Sequence, residues 1–443
     1  MIRSWLSRAL NCFLPPELPK GVKWGYAAVY ALVAAIAVYF SFVKPYATTT
    51  WDTAGYFTAF DTLASGRLDL WRTPVYPIVI GAIRTIAAPY ELRAVEVVQW
   101  IVFFLSIPAM RLAATRVIGE RHHTAVFAAT ALYALCPSIL AYNDFILTES
   151  LSVSGSVFFA ASLLKGLRLD RPGAMHRAML WLLALIMLRP LFVCYLPVMA
   201  VVIVGYRLQG GARVRRAFRS ALLGFAVCIG VLGGYVAVMY HTYGITSLSI
   251  VNSLNNYYIF RRNGVVTPES ASNPVVKAAI ERHFVENARF EQIWAEELNI
   301  LDDVGPAVFA DYIGELMANH RQTIVDVWSF RLFYKSTYYA LSHDAQMTCR
   351  FDRPKPPFIP LCDGMVFLIL TLTALCCLWG WRRRVNPEVL FVGGAPLVLM
   401  VSSLIGAQDE YSRLSLPGIP LIILYIIYLT DRIWHGFLRL RAR

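Results

Sequence analysis

The chain has 443 residues, of which 57% are hydrophobic and only 16% charged. Soluble domains carry about 25% charged residues, so this composition excludes an ordinary soluble domain and points to the membrane. The formal net charge of +13 is no nucleic-acid footprint, because the basic residues sit in short loops between apolar runs and not on one soluble face.

The first long apolar run covers residues 24–43, preceded by Arg3 and Arg8. With no cleavage site behind a short apolar core, it reads as a retained helix and not a signal peptide. Further runs of spanning length fall near 95–113, 123–141, 147–165, 174–189, 190–206, 220–240, 364–381, 388–405 and 414–430. About 20 helical residues cross the hydrocarbon core, so the expected fold is an all-α polytopic membrane protein with about ten spans. There is no internal repeat at fixed period.

The basic segments 111–123, 165–177, 207–219, 382–388 and 431–443 carry the positive-inside signature of cytoplasmic loops. If all five are cytoplasmic, both termini are too, and residues 44 and 95 lie on the outer side of the membrane. The apolar stretch 75–90 then cannot cross. It has 16 residues, interrupted by Pro77 and Arg84, and reads as a juxtamembrane or re-entrant helix within an outer loop, 44–94.

The same parity places residues 142–146, the Arg189-Pro190 pair, 241–362 and 406–413 outside. Loop 241–362 has the size of a small domain and holds close to half of the chain's acidic residues. The stretches 273–300 and 305–322 read as amphipathic helices opened by Asn-Pro and Gly-Pro. Three units follow: a transmembrane module (1–240), an extracytoplasmic loop domain (241–362), and C-terminal helices with a basic tail (363–443). Cys136, Cys194, Cys228, Cys376 and Cys377 lie in apolar runs, where Cys packs as a small hydrophobe. Cys349 and Cys362 could pair in an oxidising compartment. No Cys/His spacing marks a zinc site.

Chemistry concentrates in "TTTWDTAGYFTAFDTLASGRLDLWRTPVYP", residues 48–77. Asp52 and Tyr56 are four apart on one face of a short helix, which Gly66 would end in the left-handed conformation. Asp52 is either that helix's N-cap or a site carboxylate, since an aspartate near a membrane is expensive unless used or paired. Arg72 precedes a Thr-Pro and is either a snorkelling anchor or a phosphate clamp, for which a planar guanidinium is suited. Arg189 and Arg413 are outer-face arginines beside prolines, against the positive-inside trend. "YNDFILTESLSV" (142–153) sets Asp144 and Glu149 at a helix start, where both can also act as solvating caps. Four outer loops thus deliver polar groups beside apolar helices, which fits a substrate with a hydrophobic tail and an anionic head.

The ordered set of Asp-x-x-x-Tyr, "RTPVYP", "TESL", the Arg-Pro after the fifth helix and the late "RLSLPGIP" resembles the GT-C membrane glycosyltransferases. The bacterial relatives of the protein O-mannosyltransferases and of the lipid A aminoarabinose transferase are the nearest in pattern. The resemblance covers residues 20 to 240 and the last helices. It implies inverting transfer of a sugar from a polyprenyl-phosphate carrier to a lipid, glycan or protein acceptor, with Asp52 as general base. Arg72, Arg189 and Arg413 would hold the donor phosphate, and Tyr56, Asp69, Tyr76, Asp144 and Glu149 the substrates. One departure is that Trp71, not an acid, precedes Arg72, leaving Asp69 as the nearest second acid. No cofactor is implied; a divalent metal is compatible with the chemistry, but nothing in the sequence indicates one. An O-antigen polymerase or ligase and a lipid-linked substrate flippase are the competing readings.

Overall fold

The computed structural model describes residues 11, 13–44, 47–210, 215–330, 387–406 and 411–441, and every regular element among them is helical. In chain order these are α1 (Lys20–Val38, running on through a π turn, Tyr39–Val43), α2 (Trp51–Ala64), α3 (Val75–Ala87) and α4 (Glu91–Ile118). Next come α5 (His123–Ala134), α6 (Pro137–Tyr142), α7 (Thr148–Leu169), α8 (Pro172–Leu188), α9 (Tyr195–Gly210) and α10 (Arg215–Tyr243). A helical unit follows: α11 (Val251–Arg262), α12 (Pro274–His283), α13 (Phe290–Val304), α14 (Pro306–Asn319) and α15 (Arg321–Phe330). The last three are α16 (Pro387–Gly406), α17 (Tyr411–Ser415) and α18 (Ile419–Arg441).

Among the described residues, six segments are long and apolar enough to cross a membrane: Lys20–Val43, Glu91–Ile118, Thr148–Leu169, Pro190–Gln209, Arg216–Tyr243 and Arg413–His435. Val75–Ala87, Pro172–Leu188 and Pro387–Ser403 are apolar but shorter. The chain is an all-α, multi-pass membrane protein. Three expected elements differ from their sequence reading. The run 123–141 breaks at Cys136-Pro137 into α5 and α6, because proline disfavours helix at the residue before it. The stretch 273–300 divides into α12 and α13 around Asn287, whose φ is +52°. The final helix runs on through the basic tail to Arg441. The run 364–381, Cys349 and Cys362 lie outside the described residues.

α7 is the centre of the bundle and the most enclosed of the six long helices. Small residues allow this, since they let neighbouring backbones close in. The Cα of Gly155 faces Leu185 of α8 so closely that a Cβ there would stand 2.9 Å from it, and at Gly166 a Cβ would stand 2.8 Å from Met175. α10 is the opposite case. Leu222, Leu223, Val227, Ile229, Val231 and Val238 are all exposed on it, as a lipid-facing helix requires.

Residues 75–90 do form a short helix. The 13 residues of α3 make about 20 Å, well short of a hydrocarbon core of about 30 Å. α3 packs on α2, and the contact hinges on Gly81, where an added Cβ would run into the Phe60 ring. Gly81→Ala should therefore push α2 off α3 and cost about 1–3 kcal/mol. Gly21→Ala, with nothing within 4 Å, is the control. Thermal unfolding of the detergent-solubilised protein reads the difference, and equal melting of the two variants would rule out the wedge at Gly81.

In the α11–α15 unit Tyr257, Phe260, Phe309 and Tyr312 are buried, as part of the same apolar cluster as the bundle. A buried Arg261–Glu296 pair holds the unit (Nε–Oε1 2.7 Å), with the Tyr257 hydroxyl donating to the same Oε1 at 2.5 Å. The unit reaches the 68–72 loop through its entry segment: the Tyr243 hydroxyl donates to the Leu68 carbonyl at 2.5 Å and the Ile250 N–H to the Leu70 carbonyl at 3.0 Å.

Candidate active site

Two helices begin side by side. Residues 47–50 and 144–147 run alongside each other, joined by an isolated parallel bridge between Thr48 and Phe145. The Thr48 N–H donates to the Asp144 carbonyl at 3.3 Å and the Ile146 N–H to the Thr48 carbonyl at 3.1 Å. Asp52 stands four residues beyond Thr48, and Glu149 four residues beyond Phe145. The register of one bridge thus brings these two acids together in the first turns of α2 and α7. Free backbone N–H groups and the helix dipole favour carboxylates at that position.

Asp52 is not the N-cap. That place belongs to Thr50, whose N–H donates to Thr53 Oγ1 at 2.9 Å, while Thr53 Oγ1 donates in turn to the Ile146 carbonyl at 3.1 Å. Thr53 therefore completes the cap and ties α2 to the start of α7. The Asp52 side chain is left to face the arginines. At the other end of α2, Gly66 has φ +81°, the left-handed stop expected there.

Three guanidiniums and two carboxylates alternate in one chain of contacts. Arg72 Nη2 donates to Asp52 Oδ1. Arg413 Nη2 donates to Asp52 Oδ2 at 2.7 Å, and Arg413 Nε to Glu149 Oε1 at 2.6 Å. Arg189 Nη2 donates to the same Glu149 oxygen at 2.9 Å. Glu149 is fully buried and Arg189 and Arg413 nearly so, whereas the Asp52 and Arg72 side chains each keep 25% of their surface exposed. The cluster therefore opens to the protein surface at Asp52 and Arg72. Arg189 Nη1 is buried with no hydrogen-bond partner among the described residues, a donor that costs free energy until something accepts from it.

Burial by itself would raise the Asp52 carboxyl, but Arg72 and Arg413 outweigh it and hold the group at about 2. It is fully ionised at neutral pH. Arg72 is fixed from three directions. Asp69 Oδ1 accepts from the backbone N–H groups of Trp71 (2.9 Å) and Arg72 (2.7 Å), Asp52 holds the guanidinium, and the Tyr56 ring lies under it, 4.8 Å from Cζ to ring centroid. A stacked and paired Arg is pre-organised for an anion.

The remaining candidates take supporting places. Tyr76 is fully buried, meets the Tyr56 ring edge-on at 4.7 Å, and donates its hydroxyl to Gln99 Oε1 at 2.9 Å. Gln99 donates onward to the Asn143 and Phe145 carbonyls at 3.1 and 2.8 Å, so this relay braces the segment before α7 that positions Glu149. Asp144 lies in a different cluster. It accepts from Lys44 and from Thr48 Oγ1 (2.5 Å) and so pins the end of α1 beside the bridge. Arg93 joins that second cluster, donating to Glu96 Oε2 and to the Phe40 and Lys44 carbonyls, each at 2.6 Å. Lys44, Arg93, Glu96 and Gln99 do not stand out in the sequence as site residues. A signal is present for the last two: polar side chains inside an apolar run of spanning length are expensive unless used.

No protein-family model matches the sequence, and no curated protein matches it. Solved structures do. A crystal structure of an Archaeoglobus fulgidus oligosaccharyltransferase, tethered to an acceptor peptide, superposes with TM-score 0.50 at 14% identity, over 94% of this chain and 50% of that one. The chain shares the fold of that oligosaccharyltransferase's matched half. The archaeal oligosaccharyltransferase AglB from the same organism, in complex with an inhibitory peptide and a dolichol-phosphate, gives 0.48 at 14% identity over 95% and 51%. ArnT from Cupriavidus metallidurans bound to undecaprenyl phosphate gives 0.34 at 14% identity over 91% and 78%. The chain spans about half the length of the oligosaccharyltransferases it matches, and at these identities the likeness concerns the fold.

Proposed function

We propose that this protein is an inverting glycosyltransferase that moves a sugar from a polyprenyl-phosphate carrier to an envelope acceptor, a lipid, a glycan or a protein, at the outer face of the bacterial cytoplasmic membrane. The observation that carries this reading is the Arg72–Asp52–Arg413–Glu149–Arg189 chain. It pairs one partly open carboxylate with several guanidiniums beside apolar helices, and Arg189 keeps a buried donor in hand. A GT-C fold fits the same reading.

The chemistry is a single displacement. The acceptor oxygen attacks the anomeric carbon as its proton passes to the Asp52 carboxylate, and the bond from that carbon to the phosphate oxygen breaks. The electron pair leaves with polyprenyl phosphate, and the anomeric centre inverts. The donor diester carries one negative charge and the departing monoester up to two. Fixed guanidiniums therefore bind the transition state more tightly than the ground state, which is the condition for catalysis. In the free protein Arg72 and Arg413 hold Asp52 at about 2, a weak base. A phosphate that draws on the same guanidiniums lifts that hold, so Asp52 gains basicity only once the donor is in place.

The direct test incubates the purified protein with polyprenyl-monophosphate and polyprenyl-pyrophosphate sugars and a membrane extract, following release of the free carrier. Consumption of the monophosphate donor is expected. Consumption of the pyrophosphate donor alone would transfer the protein to the polymerase or ligase class. Within the active system, Arg72→Ala should lower turnover about 10²-fold, the typical loss of one transition-state donor. Arg219→Ala, on an exposed position of α10, should leave it unchanged. Equal effects of the two would reduce Arg72 to a structural anchor.

A further inference from the structure

A second cluster of ligand-type side chains lies far from the arginine chain. His122 stands in the loop before α5, and Asp431 and His435 sit one turn apart on α18. His122 Nδ1 is 2.9 Å from Asp431 Oδ1, His435 Nδ1 is 3.5 Å from that same oxygen, and the two imidazole rings are 4.6 Å apart, centroid to centroid. One ligand atom from each residue lies within 4.8 Å of the others. Sequence spacing could not show this, because His122 and Asp431 are 309 positions apart. Arg413 and His435 bound a segment of 23 residues, roughly 30 Å along a helix, so this cluster is independent of the proposed transfer site.

We propose that His122, Asp431 and His435 form a divalent-cation site, best suited to zinc, that clamps the last helix to the loop before α5. Two imidazoles and a carboxylate are a common three-ligand set for Zn²⁺, with water completing a tetrahedron. Ligand bonds of about 2.0–2.1 Å put neighbouring ligand atoms about 3.3 Å apart in that geometry. The three ligand atoms, within 4.8 Å of one another, reach it by small side-chain rotations. The side chains are 31%, 11% and 45% exposed, open enough for a metal and its water to enter. His435 Nδ1 also lies 2.8 Å from the Asp431 backbone carbonyl. Donation there fixes the ring and leaves Nε2 as the available lone pair, the orienting contact that ligating histidines commonly make.

The alternative is a hydrogen-bonded trio with no ion. A partly exposed His–Asp pair adds little stability, whereas a metal would cross-link two segments that are distant in sequence. Two of the nearby cations are turned to other partners: Arg116 pairs with Glu120, and Arg432 stacks over Tyr428.

The test uses the full-length protein in detergent, stripped by a chelator and titrated with Zn²⁺ against a chromophoric competitor. One equivalent should bind, and Co²⁺ in its place should give the intense visible bands of a tetrahedral site. His435→Ala and Asp431→Asn should each weaken binding by about tenfold or more and abolish the Co²⁺ bands. His176→Ala, an exposed histidine elsewhere, should do neither. His122→Gln provides a second route should either α18 variant fail to fold, and the metal-free melting temperature checks folding throughout. Zinc should raise the melting temperature of the parent protein and not that of the variants. Unchanged binding in the variants would mean an adventitious ion only, and no binding by the parent protein would equally overturn the site.

Discussion

Replacing Asp52 by asparagine is expected to lower transfer by about 10²- to 10⁴-fold, the range for loss of a general base, while donor binding is kept or tightened. The split follows from the geometry. The amide cannot take the acceptor's proton, so turnover falls. It also releases Arg72 and Arg413 from a charge that now occupies one oxygen each, so the donor phosphate meets guanidiniums with less competition. The change is not silent for folding. The carboxyl sits at about 2 instead of the ordinary 3.8, a depression that corresponds to roughly 2 kcal/mol in favour of the folded, ionised form. That contribution is present above the unfolded value of 3.8 and is lost as the pH falls through about 2. The Asp52→Asn protein forgoes it at neutral pH, and should melt lower yet remain folded. Capping cannot confuse the result, because Thr50 and Thr53 start the helix. Measuring the dissociation constant for polyprenyl phosphate alongside turnover separates the two effects. Near-parental turnover by the folded variant would remove Asp52 from the mechanism and turn attention to Glu149.

Much of this site was legible in the residues, and the part that was not has a definite cause. Asp52, Arg72, Glu149, Arg189 and Arg413 stand out singly because each is a charge at the edge of an apolar run, where charge is costly. Their mutual contacts do not follow from that. They depend on a two-residue bridge, Thr48 with Phe145, whose sequence carries no strand pattern. They depend also on α17, which returns Arg413 to Asp52 across 361 positions and to Glu149 across 264. The fold class followed from hydropathy alone. The breaks in the 123–141 and 273–300 stretches are local backbone events at Pro137 and Asn287, and a hydropathy window averages over such single residues. Tyr76, Asp69 and Asp144 carry the same residue types as the site and lie close in sequence. What sets them apart is the direction of the side chain: Tyr76 turns inward to Gln99, Asp69 to its own turn, and Asp144 to Lys44.

Glu149→Gln should be the most damaging single change to stability, at about 3–5 kcal/mol, the usual result of removing one member of a buried ion pair. Glu149 is fully buried, and one of its oxygens accepts from both Arg189 and Arg413. Deletion of its charge leaves two nearly buried guanidiniums facing each other across a neutral amide, in a region where Arg189 already has one donor without a partner among the described residues. The repulsion spreads further, because Arg413 also grips Asp52. Loosening Arg413 therefore uncouples the end of the bundle from α2 and opens the site. A purely local role would predict a small, isolated effect. The present geometry predicts a coupled one, so a second substitution, Arg189→Gln, introduced into Glu149→Gln should restore part of the loss, with an interaction energy of about 0.5–3 kcal/mol. Arg219→Ala in the same background should restore nothing. Thermal and chemical unfolding of the detergent-solubilised proteins measures the cycle. A Glu149→Gln protein as stable as its parent, or strictly additive losses in the double variant, would mean that Glu149 does not carry the charge of these two arginines.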